Sequence, residues 1–335
     1  MTRFRFFHAA AVIAGVAALF ISGPREAAPE GPPVSVPSVL NGCHLCHAEY
    51  VKEWAGSYHG KAWTDEIYIA AKNATPKEKQ ATCNPCHSPN PTQGSFGKPP
   101  TLRSKNQHEG VTCIVCHQIP SGKPDDIGTI VGPLPADQML KGHPNKQDKT
   151  MGTDPRICIS CHGTDRDHNQ YDSWKGSAYE KEGTSCQSCH MPEVRRAIYD
   201  KKGALPRDAH KHTMPGAHDP VMIKKAALVD ASVAGGKVKV TITNHGSGHN
   251  FPGGGEREVV LLVTVVGADG KEAAKYRETF DLRTKNNRIK PKEERVLEFE
   301  AKAATGTVKL KLLYKLLPEQ DEAKAVVAAE KEVKF

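Results

Sequence analysis

Aromatic residues make up only 6% of this 335-residue chain, and no cysteine lies outside one repeated motif. The aromatic shortage excludes a conventional polypeptide core over much of the N-terminal half, where too little bulky apolar surface is available to bury. Long hydrophobic runs are missing as well. The apolar stretch Ala9–Ile21 has thirteen residues, short of the roughly 20 that a membrane-spanning helix needs. The chain also has no nucleophile elbow, no phosphate-cradling glycine loop and no His-Glu-x-x-His helix, which removes the common hydrolase, nucleotide and zinc-protease chemistries. Gly253–Gly255 is glycine-rich but lacks the strand-to-helix setting of a nucleotide site.

What the chain has is five Cys-x-x-Cys-His motifs: Cys43–His47, Cys83–His87, Cys113–His117, Cys158–His162 and Cys186–His190. Each reads as a c-type haem attachment site, in which two thiols form thioethers to the porphyrin and the adjoining histidine binds iron. Zinc ribbons and disulfide frameworks also use cysteine pairs, but neither needs a histidine directly after the second thiol. The expected cofactors are therefore five covalently bound haem c groups. Cys43, Cys46, Cys83, Cys86, Cys113, Cys116, Cys158, Cys161, Cys186 and Cys189 would attach them, and His47, His87, His117, His162 and His190 would be the proximal ligands. With about thirty residues to each motif between Cys43 and His190, the macrocycles themselves are expected to be the core, wrapped in helices and loops. The formal charge of +8 does not indicate nucleic acid, because each ferric haem with ionised propionates adds about −1.

Arg3 and Arg5 ahead of Ala9–Ile21 form a signal-peptide pattern, so residues 1–28 are expected to be a leader, or an N-terminal anchor if retained. Residues 29–40 read as a proline-rich linker. Export agrees with haem attachment, and the expected location is extracytoplasmic, with the periplasm first. Residues 41–219 hold every cysteine and are expected to form a mainly α and irregular pentahaem domain. Residues 220–335 are expected to form a small all-β sandwich. Lys237–Thr243 alternates, Val259–Val266 is an apolar run before the turn Ala268-Asp269-Gly270, and Val308, Leu310, Leu312, Tyr314 and Leu316 alternate with lysines. Ala323–Phe335 fits strand or helix. An internal echo, Trp54-Ala55-Gly56-Ser57-Tyr58-His59 against Trp174-Lys175-Gly176-Ser177-Ala178-Tyr179, suggests duplicated helix-plus-haem units in which a ligand-like histidine has become tyrosine.

Beyond the five proximal histidines and His8, ten remain, a surplus that favours a second imidazole on most irons. His59, His108, His143, His212 and His249 are the expected distal ligands. Residues 47–63 have helical spacing, which would put His59 about 18 Å along the axis from His47 and direct it to a different haem. His108 precedes Cys113 by five residues, and His143 lies in a loop beside Pro144. His212 represents the cluster with His210 and His218, and His249 would reach over from the β region. His44 lies inside a haem-binding loop, and His168 has no supporting pattern.

The segment CHLCHAEYVKEWAGSYHGKAW, with CNPCHSP, HEGVTCIVCHQI, the His143 region and CISCHGT after it, resembles the multihaem c-type cytochromes typified by the tetrahaem cytochrome of ammonia-oxidising bacteria. The resemblance covers residues 41–190. NHGSGHNFPGG is similar to an element of larger multihaem cytochromes with an added β domain. It implies closely packed haems passing electrons along an array, and it favours His59 and His143 as distal ligands. In that family the second haem can be five-coordinate, whereas here His108 stands where it would cap one. The leading expectation is electron transfer between redox partner proteins, with no catalytic residues. The alternatives are a haem enzyme with one open iron acting on a small nitrogen or sulfur species, with Tyr179 nearby, and a subunit of an extracellular cytochrome filament or other homo-oligomer. Membrane contact is expected only if the N-terminal segment is retained.

Overall fold

From Lys237 to Thr243 every second residue is an aliphatic side chain, and in the computed structural model Val238, Val240 and Ile242 are each fully buried on one face of a strand. That period of two is what a half-buried sheet demands. The structure describes residues 42–122, 127–135, 142–163, 168–202 and 204–335. The expected leader and linker lie outside the described residues.

The motif-bearing part is built of short pieces. Among the described residues, helices Ala48–Gly56 and Glu66–Ala74 are the longest before residue 219, and the motifs themselves form single helical turns. Three small strands, β1 (Gln118–Ile119), β2 (Thr129–Gly132) and β3 (Asn145–Gln147), make one sheet, and β4 (Glu193–Arg196) pairs with β5 (Arg207–His210). The expected helix over 47–63 stops early: it ends at Gly56, where Ser57 turns extended and its hydroxyl donates to the Trp54 carbonyl. His59 therefore lies beyond the helix, in a turn, and the rigid-rod geometry does not govern it.

After helix Pro220–Ala226 the chain becomes strands: β6 (Ala227–Ala234), β7 (Lys237–Asn244), β8 (Glu258–Gly267), β9 (Glu272–Asp281), β10 (Glu294–Glu300), β11 (Gly306–Lys315) and β12 (Val326–Lys334). They form two antiparallel sheets, ordered β10-β7-β6 and β12-β11-β8-β9. The inner faces share one core in which Val259, Leu261, Val263, Phe280, Ile289, Val308 and Leu312 are essentially sealed from water. Strand β8 is apolar from Val259 to Val263 because its outer face is closed at that end as well: Val260 and its cross-strand neighbour Leu313 are both buried. The terminal segment that fitted either period is strand β12, held in register against β11.

The internal echo is structural. Trp54 donates its indole N–H to the Val111 carbonyl at 2.6 Å, and the Val111 N–H donates to His59 O. Trp174 donates to the Thr184 carbonyl at 2.9 Å, and the Thr184 N–H donates to Tyr179 O. Val111 and Thr184 each stand two residues before the first cysteine of a motif, so the same pair of bonds anchors the third and the fifth. Gly110 makes the first copy possible. At φ +64 its Cα packs so closely that a Cβ would lie 2.5 Å from the His59 carbonyl oxygen.

The two parts pack on each other within one compact unit. The Tyr179 hydroxyl donates to the His245 carbonyl, the Asn250 N–H donates to Ser173 Oγ at 3.2 Å, and Arg288 donates to Asn169. Truncating the sheet core should be costly: Leu261→Ala is expected to destabilise by about 2–5 kcal/mol. Val296→Ala, 44% exposed on the edge strand β10, is expected to cost less than about 1 kcal/mol. Denaturant unfolding followed by far-UV circular dichroism measures both.

Candidate haem-binding sites

A helical turn brings residues i, i+3 and i+4 to one face, and that is the spacing of Cys, Cys and His in each motif. The structure forms the turn in all five: Cys43–Leu45 as a 3-10 turn, and Asn84–His87, Cys113–His117, Ile159–His162 and Cys186–His190 as helix. In the first motif the His47 N–H returns to the Cys43 carbonyl at 2.8 Å, and in the fourth the His162 N–H returns to Cys158 at 2.9 Å.

Four of the five motif histidines are fixed by a distant carbonyl. His47 Nδ1 lies 2.6 Å from Ile198 O, His87 Nδ1 2.7 Å from Ala62 O, His117 Nδ1 2.9 Å from Val131 O and His190 Nδ1 2.6 Å from Pro215 O. A carbonyl oxygen only accepts, so Nδ1 carries the proton and Nε2 presents a lone pair. That tautomer and fixed orientation suit a metal-binding imidazole.

Three of the five motif rings face a second imidazole. The centroids of His59 and His162 are 6.2 Å apart, those of His117 and His212 6.1 Å, and those of His190 and His249 6.4 Å. Two metal–nitrogen bonds of about 2 Å each, with the ring radii added, span about this distance. His212 Nδ1 donates to His210 O at 3.0 Å and His249 Nδ1 to Asn250 O at 2.9 Å, so these partners also direct Nε2 away from the backbone. Desolvation pushes His59, His87, His212 and His249 down to about 4 and His162 to about 3, the last helped by the imidazoles of His168, His59, His190 and His249. Such rings are neutral at pH 7, as metal binding requires. The residues present therefore fit haem c.

The other candidates are placed differently. His108 is exposed on the turn Gln107–Glu109, and it is Gly110 and Val111 of that segment that pack against His59. His143 is half-buried, with Nδ1 3.4 Å from Pro144 O. Among the described residues neither stands in ring contact with a motif histidine. Beside His47 is Tyr50, and on His87 the ring of Tyr68 stacks at 3.6 Å. His168, which has no sequence pattern to mark it, comes within 6.2 Å of His162, edge-on at 72°. His218 stacks on Tyr58, and its Nε2 is 3.5 Å from the Arg257 guanidinium. Tyr179 has its hydroxyl on the His245 carbonyl, in the joint with the sheets.

The motifs lie against one another. The thiols of Cys158 and Cys186 are in hydrogen-bonding contact, as are those of Cys86 and Cys161. Cys161 also feels Cys116, and Cys113 feels Cys43. The fourth motif thus neighbours the second, third and fifth, and the first neighbours the third.

One supporting device escaped the sequence. Arg196 grips Glu53 with both Nη atoms at 2.7 and 2.8 Å, and Glu53 Oε2 accepts the His212 N–H at 2.8 Å. The guanidinium lies 4.0 Å over the Tyr50 ring, which meets His212 edge-on at 5.0 Å. Burial raises the pKa of Glu53, but Arg196 and the His212 amide outweigh it and hold the carboxyl below its usual 4.5. The resulting stability is present above pH 4.5 and is lost as pH falls through the lowered value. Glu53→Gln is expected to destabilise the protein at pH 7 by about 1–2 kcal/mol and to remove that acid-side loss. Thermal melts from pH 3 to 7 measure both effects.

Residues 42–118 match the family model described as cytochrome c554 and c-prime. A penta-heme cytochrome c552 from Thermochromatium tepidum has a similar fold, with TM-score 0.61 and 19% identity over 88% of this chain and 97% of that one. A β-glucuronidase from glycoside hydrolase family 2 aligns at TM-score 0.18 and 13% identity, over 33% of this chain and 11% of its own, a likeness too slight to carry an argument. No curated protein matches the chain. The motif-bearing match and the shared fold together support a multihaem c-type cytochrome resembling the c554 and c-prime family.

Proposed function

We propose that this chain is an extracytoplasmic electron-transfer protein carrying five covalent haem c groups, with His59, His212 and His249 as sixth ligands opposite His162, His117 and His190. The observation that carries this reading is the set of three facing imidazole pairs, 6.1 to 6.4 Å apart. Haem c supplies a one-electron iron couple whose potential is set by ligation, burial and nearby charge. The chain's own residues hold the imidazoles neutral and aimed, through carbonyls contributed by Ala62, Val131, Ile198 and Pro215. At these three motifs, rigid ligands on both faces favour electron exchange over bond-making chemistry, because neither face is left for a substrate.

His143 and His108 are the remaining candidates for the first and second motifs. Contact between the thiols supports an order in which the first motif adjoins the third, the third adjoins the fourth, and the second and fifth both flank the fourth. The resemblance and the leader pattern of Arg3, Arg5 and Ala9–Ile21 support an extracytoplasmic location, with the periplasm first. No helix among the described residues is long and apolar enough to cross a membrane. The enzymatic alternative draws no support from Tyr179, whose hydroxyl is engaged by His245.

The test is the haem content and the carbon monoxide response of the reduced holoprotein. Pyridine haemochrome analysis should give five haems per chain. His59→Ala should bind one more equivalent of carbon monoxide than the parent protein, with the haem count unchanged. An unchanged carbon monoxide response in His59→Ala would remove His59 from the ligand set. A parent protein that binds carbon monoxide at one haem and turns over a small nitrogen or sulfur oxyanion would favour the enzymatic reading.

A further inference from the structure

Arg288 carries a permanent positive charge in a place almost closed to water. Its side chain is among the few charged ones that are buried, at 7% exposure. Its Nη1 donates to the Asn169 side-chain oxygen at 2.9 Å and to the Gly253 carbonyl at 2.5 Å. Its Nε is buried without a hydrogen-bond partner. No carboxylate among the described residues lies within ion-pairing distance of it. Asp281 is the acid whose charge it feels, and that carboxylate accepts the Thr284 and Lys285 backbone amides instead. A buried guanidinium without a counter-ion is strongly disfavoured, and its planar fork is shaped for a carboxylate.

The surroundings point to where that carboxylate comes from. Ile289, next in the chain, exchanges two backbone hydrogen bonds with Phe251 at 2.9 Å, which fixes Arg288 beside the loop that carries His249. The same loop holds Gly253 so close that a Cβ there would lie 3.2 Å from His249 Cε1 and 3.5 Å from Gln170 Nε2. The charge of Arg288 is felt at the His249 ring. Gln170 contributes a second unpartnered polar atom, Oε1, and a half-turn of its amide would present the NH2 group. A donor without an acceptor, a bare glycine and a second amide thus converge beside the imidazole that faces His190.

We propose that Arg288 anchors a propionate of the haem attached at Cys186 and Cys189, donating from Nε to the carboxylate, and so raises the reduction potential of that one haem. This rests on the reading that His249 and His190 ligate the same iron. The sign follows from charge: ferric haem carries one more positive charge than ferrous, so a fixed cation beside it disfavours the oxidised form. In low dielectric the effect is large enough to resolve one haem from its neighbours.

The experiment is a spectroelectrochemical titration of the full holoprotein and of Arg288→Gln, Arg288→Lys and Asn169→Ala, each with its haem count and low-spin spectrum. In Arg288→Gln one component of the titration should move to lower potential. Its ferrous-to-ferric ratio at fixed potential should fall about tenfold, which for a one-electron couple is about 59 mV. Arg288→Lys, which keeps the charge, should recover most of the shift. Asn169→Ala removes a structural tie of the guanidinium but not its charge, and should titrate like the parent. An Arg288→Gln curve that superimposes on the parent, with five low-spin haems retained, would overturn the proposal. So would parent potentials that fall as inorganic phosphate is raised from 1 to 100 mM at constant ionic strength, an arm that needs no variant and would mean a free anion fills the site. His249→Ala separates the two readings: if it opens no carbon monoxide site, the pairing with His190 fails whatever Arg288 does.

Discussion

The aim of four of the five motif imidazoles depends on a hydrogen bond from Nδ1 to a backbone carbonyl far away in the chain. His47 depends on Ile198, His87 on Ala62, His117 on Val131 and His190 on Pro215. A histidine on a motif turn is otherwise free to rotate about two torsions and to carry its proton on either nitrogen. The carbonyl settles both, and it ties remote segments together. Without such ties the short helices of this half have few apolar contacts to hold them, since only a handful of side chains before residue 219, among them Trp54, Ile114, Val115 and Met151, are buried hydrophobics. The fold of the motif-bearing part and the readiness of its ligands are thus one property.

The sheet part works on the opposite principle. Its core is aliphatic, continuous and closed, and its strands pair with one another in two antiparallel sheets. Its contribution to the other half is a loop. Asn244, fully buried, donates from Nδ2 to the carbonyls of His249 and Ile289 and accepts the Ser247 N–H at Oδ1. That single amide shapes the turn from which His249 reaches its partner. A rigid sandwich therefore gives precision to a ligand that a free loop would leave mobile.

Much of this was legible from residue order. Cys-x-x-Cys-His reports its own geometry, because the turn that makes it chemically useful is local. Strands β7, β8 and β11 were visible in their alternation or apolar runs, and the tryptophan echo was visible as a word. What stayed hidden depends on contacts between distant residues. Helix Ala48–Gly56 ends where a serine hydroxyl competes for a backbone carbonyl, which spacing alone does not reveal. Glu53 and Arg196 are separated by 143 positions, and Arg288 looks in sequence like one more surface cation. His168 beside His162 had no pattern at all. The three facing imidazoles, by contrast, were among the histidines singled out: His59 by its spacing and the family resemblance, His212 by the cluster after the last motif and His249 by its loop.

The repeated tryptophan unit also bears on how the two parts are joined. In its first copy, the residue that follows the anchoring bonds is His59, whose ring extends toward the next motif. In the second copy the same backbone position is Tyr179, and its hydroxyl grips the His245 carbonyl on the sheet side. The same backbone position thus turns one copy toward a motif and the other toward the sandwich, so a single repeated turn serves once as a reach between motifs and once as a latch between the two parts.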